Sequence, residues 1–433
     1  MNVLLLKYSV GSGGIMSWLL THAEGLRRLG VDCRFWFCHG GTRFREFEGV
    51  GATLGTPQQL TRALQAGSYD VVHIVNDDPL RDLVPLIRPV PKLIVTSHGR
   101  LAEWRAAECF GYTAVSRSMA RLNQPLTDLE VEMIPNAVDW QHFSPPTTVS
   151  SERPIIAWAG RTTDEQKGFP RFTRIAAFLA KQGFRFWVAD AHGASWNSFR
   201  TNPACREFTA ERWERVAYQE MPQFYRDVAA SGGLLLMTSA GEGFGLVAVE
   251  AAASGLSTIG PAVMGIEDTI LSGATGLLYR ADASDAEVAN QVAQWIAASS
   301  PWQKIEACVE FVRQEFSIEA MSRRYVDVYN RTEQRLRREE PVPWKTNEPG
   351  MRELLERFHP SRWQRAQMLR NVARQLAVDD KAVALRALYR SARIRPRCCA
   401  RPAIAAHVLK TSAMIAMRWS PARATTHATG GAG

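Results

Sequence analysis

Short apolar runs, too unbroken for half-exposed strands, recur along the first three quarters of the chain. Val3–Tyr8, Val31–Phe37, Tyr69–Val75, Lys92–Thr96 and Tyr112–Ser116 form one series. Ile155–Arg161, Phe184–Asp190, Leu234–Met237 and Ser257–Gly260 form a second. Such runs read as strands of parallel sheets covered on both faces. Between them lie stretches with apolar residues on one helical face. These are Ser17–Leu29 closed by Gly30, the segment after Gly168 through Leu179, Asp285–Ala298, Pro301–Phe316 and a last helix from Phe316 to about Arg338. This alternation predicts an α/β protein with two Rossmann-like, mostly parallel sheets. Pro145, Pro146 and the Thr/Ser run after them mark a linker. The predicted domains are therefore 1–147 and 148–335. Residues 195–215 read as an insertion, and 216–222 as strand and loop.

After Pro341 the pattern changes. Met351–Phe358, Ser361–Ala377 and Lys381–Ile394 read as short helices in an extension over 341–418, and 419–433 as a disordered Ala/Thr/Gly-rich tail. Charge follows the same division. Residues 341–433 carry 17 lysines and arginines against 5 acids, while 1–340 carry 35 against 38. A near-neutral body argues against a nucleic-acid binder, and the basic extension reads as an ordinary helical appendage packed on the body, as one helix-pair unit similar to a degenerate tetratricopeptide-type repeat, or as a segment lying on an anionic membrane surface. Val3–Leu6 is too short an apolar run before Lys7 for a signal core, and no run reaches the length of a membrane span. The seven cysteines, at 33, 38, 109, 205, 308, 398 and 399, show no zinc-ligand spacing. Reduced thiols in a cytoplasm, with the extension placing the protein on the inner face of the membrane, fit this pattern.

The chemistry concentrates in Thr238-Ser-Ala-Gly-Glu-Gly-Phe-Gly-Leu-Val-Ala-Val-Glu250. It reads as the end of a strand, a glycine-rich turn and a helix. The amides of Phe244, Gly245 and Leu246 fall at the helix N-terminus, which favours an anion such as a phosphate, and Gly241, Gly243 and Gly245 let a ligand approach the backbone closely. Glu242 in the turn and Glu250 on the helix suit sugar or ribose hydroxyls. Arg161 ends a strand, and Lys167-Gly168 follows six residues later, so two cations meet at the mouth of a sheet. His98 also ends a strand, where open α/β sheets place ligands. His73 lies inside a strand and reads as core. The loop Val10-Gly-Ser-Gly-Gly-Ile lacks the third glycine of a dinucleotide fingerprint, because position 16 is Met, and the next strand lacks the ribose-binding acid. Asp77-Asp78 and Asp379-Asp380 are adjacent pairs without the spacing of an Asp-x-Asp metal clamp.

Glu242-Gly-Phe-Gly-Leu-Val-x-x-Glu250 followed by Ala-x-x-Ser-Gly resembles the signature of family 4 retaining glycosyltransferases, group 1 enzymes of GT-B architecture. Gly13-Gly14, His98, the Ile134-Pro-Asn-Ala-Val-Asp139 segment (Ala137 replacing the usual glycine), Arg161…Lys167-Gly168 and Gly276-Leu-Leu-Tyr279 match further motifs in order, over about 1–335. The resemblance implies two domains facing a cleft, with the last helix crossing back to the first. It implies Gly13, Gly14, Arg161, Lys167, Gly243, Phe244, Gly245, Leu246 and Glu250 for the nucleotide-sugar donor, and Glu242 and His98 for the transferred sugar. It implies a saccharide or lipid-linked acceptor in surface polysaccharide or glycolipid synthesis, and no metal or other cofactor. Two other readings are a nucleotide-sugar epimerase of the same fold and a non-catalytic, transferase-like binding protein.

Overall fold

A computed structural model describes residues 1–337 apart from 12, 42, 76–79, 81–82, 85–86, 88–91, 99–110, 125–129, 151–152, 191–209 and 299. The expected helices at 351–394, both Asp-Asp pairs and Cys109, Cys205, Cys398 and Cys399 lie outside the described residues.

The first unit comprises β1 (Asn2–Ser9), α1 (Gly14–Arg28), β2 (Asp32–His39), α2 (Arg45–Glu48), β3 (Ala52–Leu54), α3 (Pro57–Gln65), β4 (Val71–Val75), β5 (Leu93–Ser97), β6 (Gly111–Ala114), α4 (Arg117–Asn123) and β7 (Val131–Met133). The strands form one parallel sheet in the order β3-β2-β1-β4-β5-β6-β7. Every residue of β4, β5 and β6 is buried, as in strands covered on both faces. The second unit comprises β8 (Ile155–Gly160), α5 (Phe169–Ala180), β9 (Arg185–Asp190), β10 (Ala210–Glu214), α6 (Met221–Ala230), β11 (Leu234–Leu236), α7 (Leu246–Ala253), β12 (Thr258–Pro261), β13 (Gly276–Tyr279), α8 (Asp285–Ala298) and α9 (Pro301–Glu315). Its parallel sheet runs β10-β9-β8-β11-β12-β13.

Two local elements differ from the sequence expectation. Residues 210–214 form the edge strand β10. Its Ala-Glu-Arg-Trp-Glu sequence is too charged to read as a buried strand, yet an edge strand needs only one bonded neighbour and tolerates charge. Residues 216–222 are not a strand. They form a short 3-10 turn over 218–220 that runs into α6, with Pro222 in the first helical turn, where its missing N–H costs nothing.

The last helix, α10 (Ile318–Arg337), returns to the first unit. Ile318, Met321, Tyr325, Val328 and Tyr329 pack in one apolar cluster with Val3, Leu5, Trp18 and Leu19. Each buried aliphatic side chain there is worth about 1.5–3 kcal/mol. The helices touch closely at Gly25, where a Cβ would lie 1.9 Å from Ser322 Oγ. The same interface holds a polar core: Tyr329 Oη meets His73 Nδ1 at 2.7 Å and His22 Nε2 at 2.8 Å, and His73 Nε2 meets Thr96 Oγ1 at 2.6 Å. His73 is core, as expected, but serves as a polar hub. Among the described residues no helix is long and apolar enough to cross a membrane.

Candidate functional site

In each sheet the strand order reverses once, between β1 and β4 and between β8 and β11. Open parallel sheets bind ligands outside the carboxyl ends of the strands at such points. The Gly13-Gly14 loop follows β1, Arg161 and Lys167 follow β8, and Glu242 follows β11. Four of the sequence-predicted groups therefore sit at the two reversal points, and His98 sits one strand away, after β5.

The two loops of the second unit are stitched together. Gln166 Nε2 donates to Gly241 O at 2.6 Å, Ala240 N–H donates to Gln166 O at 2.8 Å, and Thr238 Oγ1 donates to Lys167 O at 3.1 Å. This seam depends on Gly168, whose φ is +66° and whose added Cβ would lie 2.1 Å from Thr238 O. The stitching brings Lys167 Nζ to 2.7 Å from Glu242 Oε1. Ser239 Oγ donates to the same oxygen at 2.7 Å, and the Glu242 amide donates to Met264 O at 2.8 Å. Glu242 is 8% exposed, so this is a held carboxylate and not a solvated turn residue.

Arg161 pairs with Asp164, which also receives the Gln166 amide. Burial alone would raise the Asp164 carboxyl; the Arg161 hydrogen bond, the amide and nearby Lys167 together hold it below its usual range. Gly245 caps α7 at φ +94°, with no side chain capping the helix start. Across from it, a Cβ on Gly14 would lie 3.5 Å from Leu246 Cδ2, so the Gly13-Gly14 loop and the start of α7 face each other across the gap between the units. Arg117 of the first unit pairs with Asp268 of the second at 3.1 Å.

Glu250 is buried within α7. Burial pushes its carboxyl up to about 8, against the opposing pull of the Tyr225 hydroxyl and the Arg43 guanidinium. His98 stands edge-on to Trp18 of α1, with ring centres 4.6 Å apart. Burial, with smaller contributions from His73 and Lys7, pushes its imidazole down to about 3, so the ring is neutral at physiological pH. The structure thus joins Lys167 to Glu242 and sets Gly14 against Leu246. Arg43, Tyr218 and Tyr225 line the same region and carry no motif of their own, and only the tertiary fold reveals them; Ser239 and Asp164 lie inside the segments read from sequence but are not singled out there.

The fold has many relatives of known structure. A glycosyltransferase from Rickettsia africae ESF-5 superposes with a TM-score of 0.63, covering 77% of this chain and 99% of its own at 17% identity. The Anabaena HepE protein in complex with UDP gives 0.62, covering 76% and 100% at 17% identity. The fold is the GT-B fold of glycosyltransferases. Residues 153–298, within the second GT-B unit, match the family described as Glycosyl transferases group 1. This upholds the resemblance read from Glu242–Glu250 at the level of that group. In sequence, the chain is similar to an uncharacterized 41.2 kDa protein in the cps region of Klebsiella pneumoniae, 29% identical over 42% of this chain and 47% of that one. It is also similar to the D-inositol 3-phosphate glycosyltransferase of Nocardia farcinica, 30% identical over 35% and 36%. The matched stretch spans less than half the length of either curated relative.

Proposed function

We propose that the chain is an anomer-retaining glycosyltransferase of family 4 that moves a sugar from a nucleotide-diphosphate donor to a saccharide or lipid-linked acceptor. The observation that carries this is the Lys167–Glu242 pair, held at the second sheet's reversal point beside an uncapped helix start and opposite Gly13-Gly14. A diphosphate placed there meets Lys167, Arg161 and the amides of Gly243–Leu246. These donors stabilise charge as it develops on the leaving group. Glu250 holds ribose hydroxyls, and Glu242 and neutral His98 orient the transferred sugar. In same-face substitution the acceptor oxygen bonds to the anomeric carbon as the carbon–phosphate-oxygen bond breaks. The acceptor proton passes to the departing phosphate oxygen, so Glu242 acts by position and not as a base. No metal or other cofactor is assigned to the step.

The UDP and UDP-glucose complexes of HepE support a nucleotide-sugar donor. The relative in a cps region supports a surface-polysaccharide acceptor, and the basic residues after 341 suit a reaction at the inner face of the membrane. Thermal shift against UDP, GDP and ADP, followed by transfer assays with the sugar of the stabilising nucleotide, tests the reading. Binding raises the unfolding temperature by mass action. If K167A and E242A keep full transfer activity, or no nucleotide stabilises the protein, the assignment fails.

A further inference from the structure

Arg43 lies in the loop between β2 and α2, outside every motif of the sequence. Its Nε and Nη2 reach the two carboxylate oxygens of Glu46 at 2.8 and 2.7 Å, which fixes the plane of the guanidinium. Its remaining nitrogen turns toward the gap between the units. There Nη1 lies 3.4 Å from both Gly13 O and Ser17 Oγ, the first in the glycine loop and the second in α1. The guanidinium carbon lies over the ring of Tyr218, which belongs to the second unit, 5.6 Å from the ring centre. The Arg43 side chain is only 15% exposed although it spans the gap. A surface arginine satisfied by Glu46 alone needs none of these further contacts.

We propose that Arg43 is a positioning residue for the donor nucleotide, bridging from the glycine loop to Tyr218, with its charge acting on Glu250, and so coupling closure of the two units to capture of the ribose. This rests on the reading of Glu250 as the ribose-binding carboxylate. Moving the units apart takes Arg43 off the Tyr218 ring and away from Glu250. Closure returns a fixed positive charge to a buried carboxyl that must be ionised to accept two hydroxyl hydrogen bonds well. The groups facing Glu250 are Tyr225 on α6, Tyr218 before it and Arg43 across the gap. Glu46 and Asp139 stand behind Arg43 and Tyr218 respectively. Arg43 is the one cation among these groups, and its charge pulls the carboxyl down against the larger upward push of burial.

The test uses the full chain and direct calorimetric titration with UDP, GDP and ADP, at about pH 7 and about pH 9, for the wild type, R43A, R43K and Y218A. R43A and Y218A are expected to weaken the best-bound nucleotide by about tenfold at the lower pH. The R43A deficit should shrink at the higher pH, where Glu250 ionises without help. R43K, which keeps the charge but not the planar stack, should fall between wild type and R43A and keep the wild-type pH trend. Unchanged melting curves establish that the variants fold. Wild-type affinity in R43A overturns the inference, as does a deficit equal at both pH values, which would mark a merely structural contact. Absence of nucleotide binding in the wild type would instead sink the reading of the whole site, and the inference with it.

Discussion

Replacing Glu250 with glutamine keeps the shape of the side chain and removes a proton equilibrium that the fold disfavours. In the unfolded chain this carboxyl ionises near its ordinary value of 4.5, whereas in the folded protein it holds its proton up to about 8. The sign follows from proton counting. Below pH 4.5 both states are protonated and the group is neutral to stability. Between 4.5 and 8 the unfolded chain has released a proton that the folded chain retains, so stability falls as pH rises, and above 8 the loss levels off. At pH 7 the window crossed is about 2.5 units, which at about 1.4 kcal/mol per unit amounts to an upper bound of about 3 kcal/mol. Glutamine carries no such penalty. E250Q is therefore expected to melt several degrees above the wild type at pH 7 to 8 and at the same temperature near pH 4.5, because about 1 kcal/mol moves the melting point of a domain of this size by about 2–4 °C. The gain in stability should come with weaker nucleotide binding, as the amide's one acceptor oxygen replaces a carboxylate. Scanning calorimetry on both proteins across pH 4.5–9, with and without UDP, GDP or ADP, provides the check. Equal melting points at every pH would refute the reasoning, and so would a wild type that gains stability between pH 5 and 8 relative to E250Q.

Three further outcomes follow from named contacts. K167A removes the 2.7 Å partner of Glu242 while leaving the Ser239 hydrogen bond, so it should cost about 1–3 kcal/mol in chemical denaturation and lower nucleotide affinity in the same preparation. G168A forces a side chain into left-handed backbone and against Thr238 O; a loss of at least about 1–2 kcal/mol is expected, with weakened nucleotide binding because the seam carries Lys167. An unchanged melting point in G168A would mean the seam is loose. Y329F leaves His22 Nε2 and His73 Nδ1 without their shared hydroxyl, and should destabilise by about 1–3 kcal/mol while nucleotide affinity measured by calorimetry stays within about twofold.

The strands were legible wherever burial on both faces forced an apolar run, as in Val71–Val75 and Leu93–Ser97. The last helix was legible because its apolar stripe, from Ile318 to Tyr329, must be covered. The cluster at Thr238–Glu250 was legible because its glycines and acids are local in sequence. What depended on tertiary placement was not. Ala210–Glu214 gains its strand character from the edge of β9 and not from its own residues. His73 looked like an ordinary core position, and only the return of α10 supplies the Tyr329 hydroxyl that makes it a hub. Arg43 and Tyr218 are 175 positions apart, and no local spacing connects them.

The site is charge-matched by its own side chains. Lys167 is answered by Glu242 and Arg161 by Asp164, so both cations that the proposed reading gives to a diphosphate already have carboxylate partners. An empty pair of cations in a half-buried cleft would repel and would draw the loops apart. The carboxylates therefore keep the loops in the geometry a donor needs. Their presence makes donor binding an exchange of partners and not a simple addition. In the proposed reading, when a diphosphate takes Lys167, Glu242 is released from one bond but stays held by Ser239 and by its own amide at Met264. It is then free to accept a sugar hydroxyl without moving. Asp164 is held on its other oxygen by the Gln166 amide, so in the proposed reading its carboxylate stays beside Arg161 and competes with the diphosphate for it. This makes the two acids next to the cations unequal. In the proposed reading Glu242 changes ligand as the site fills, and Asp164 sets how tightly the filled site can hold its leaving group.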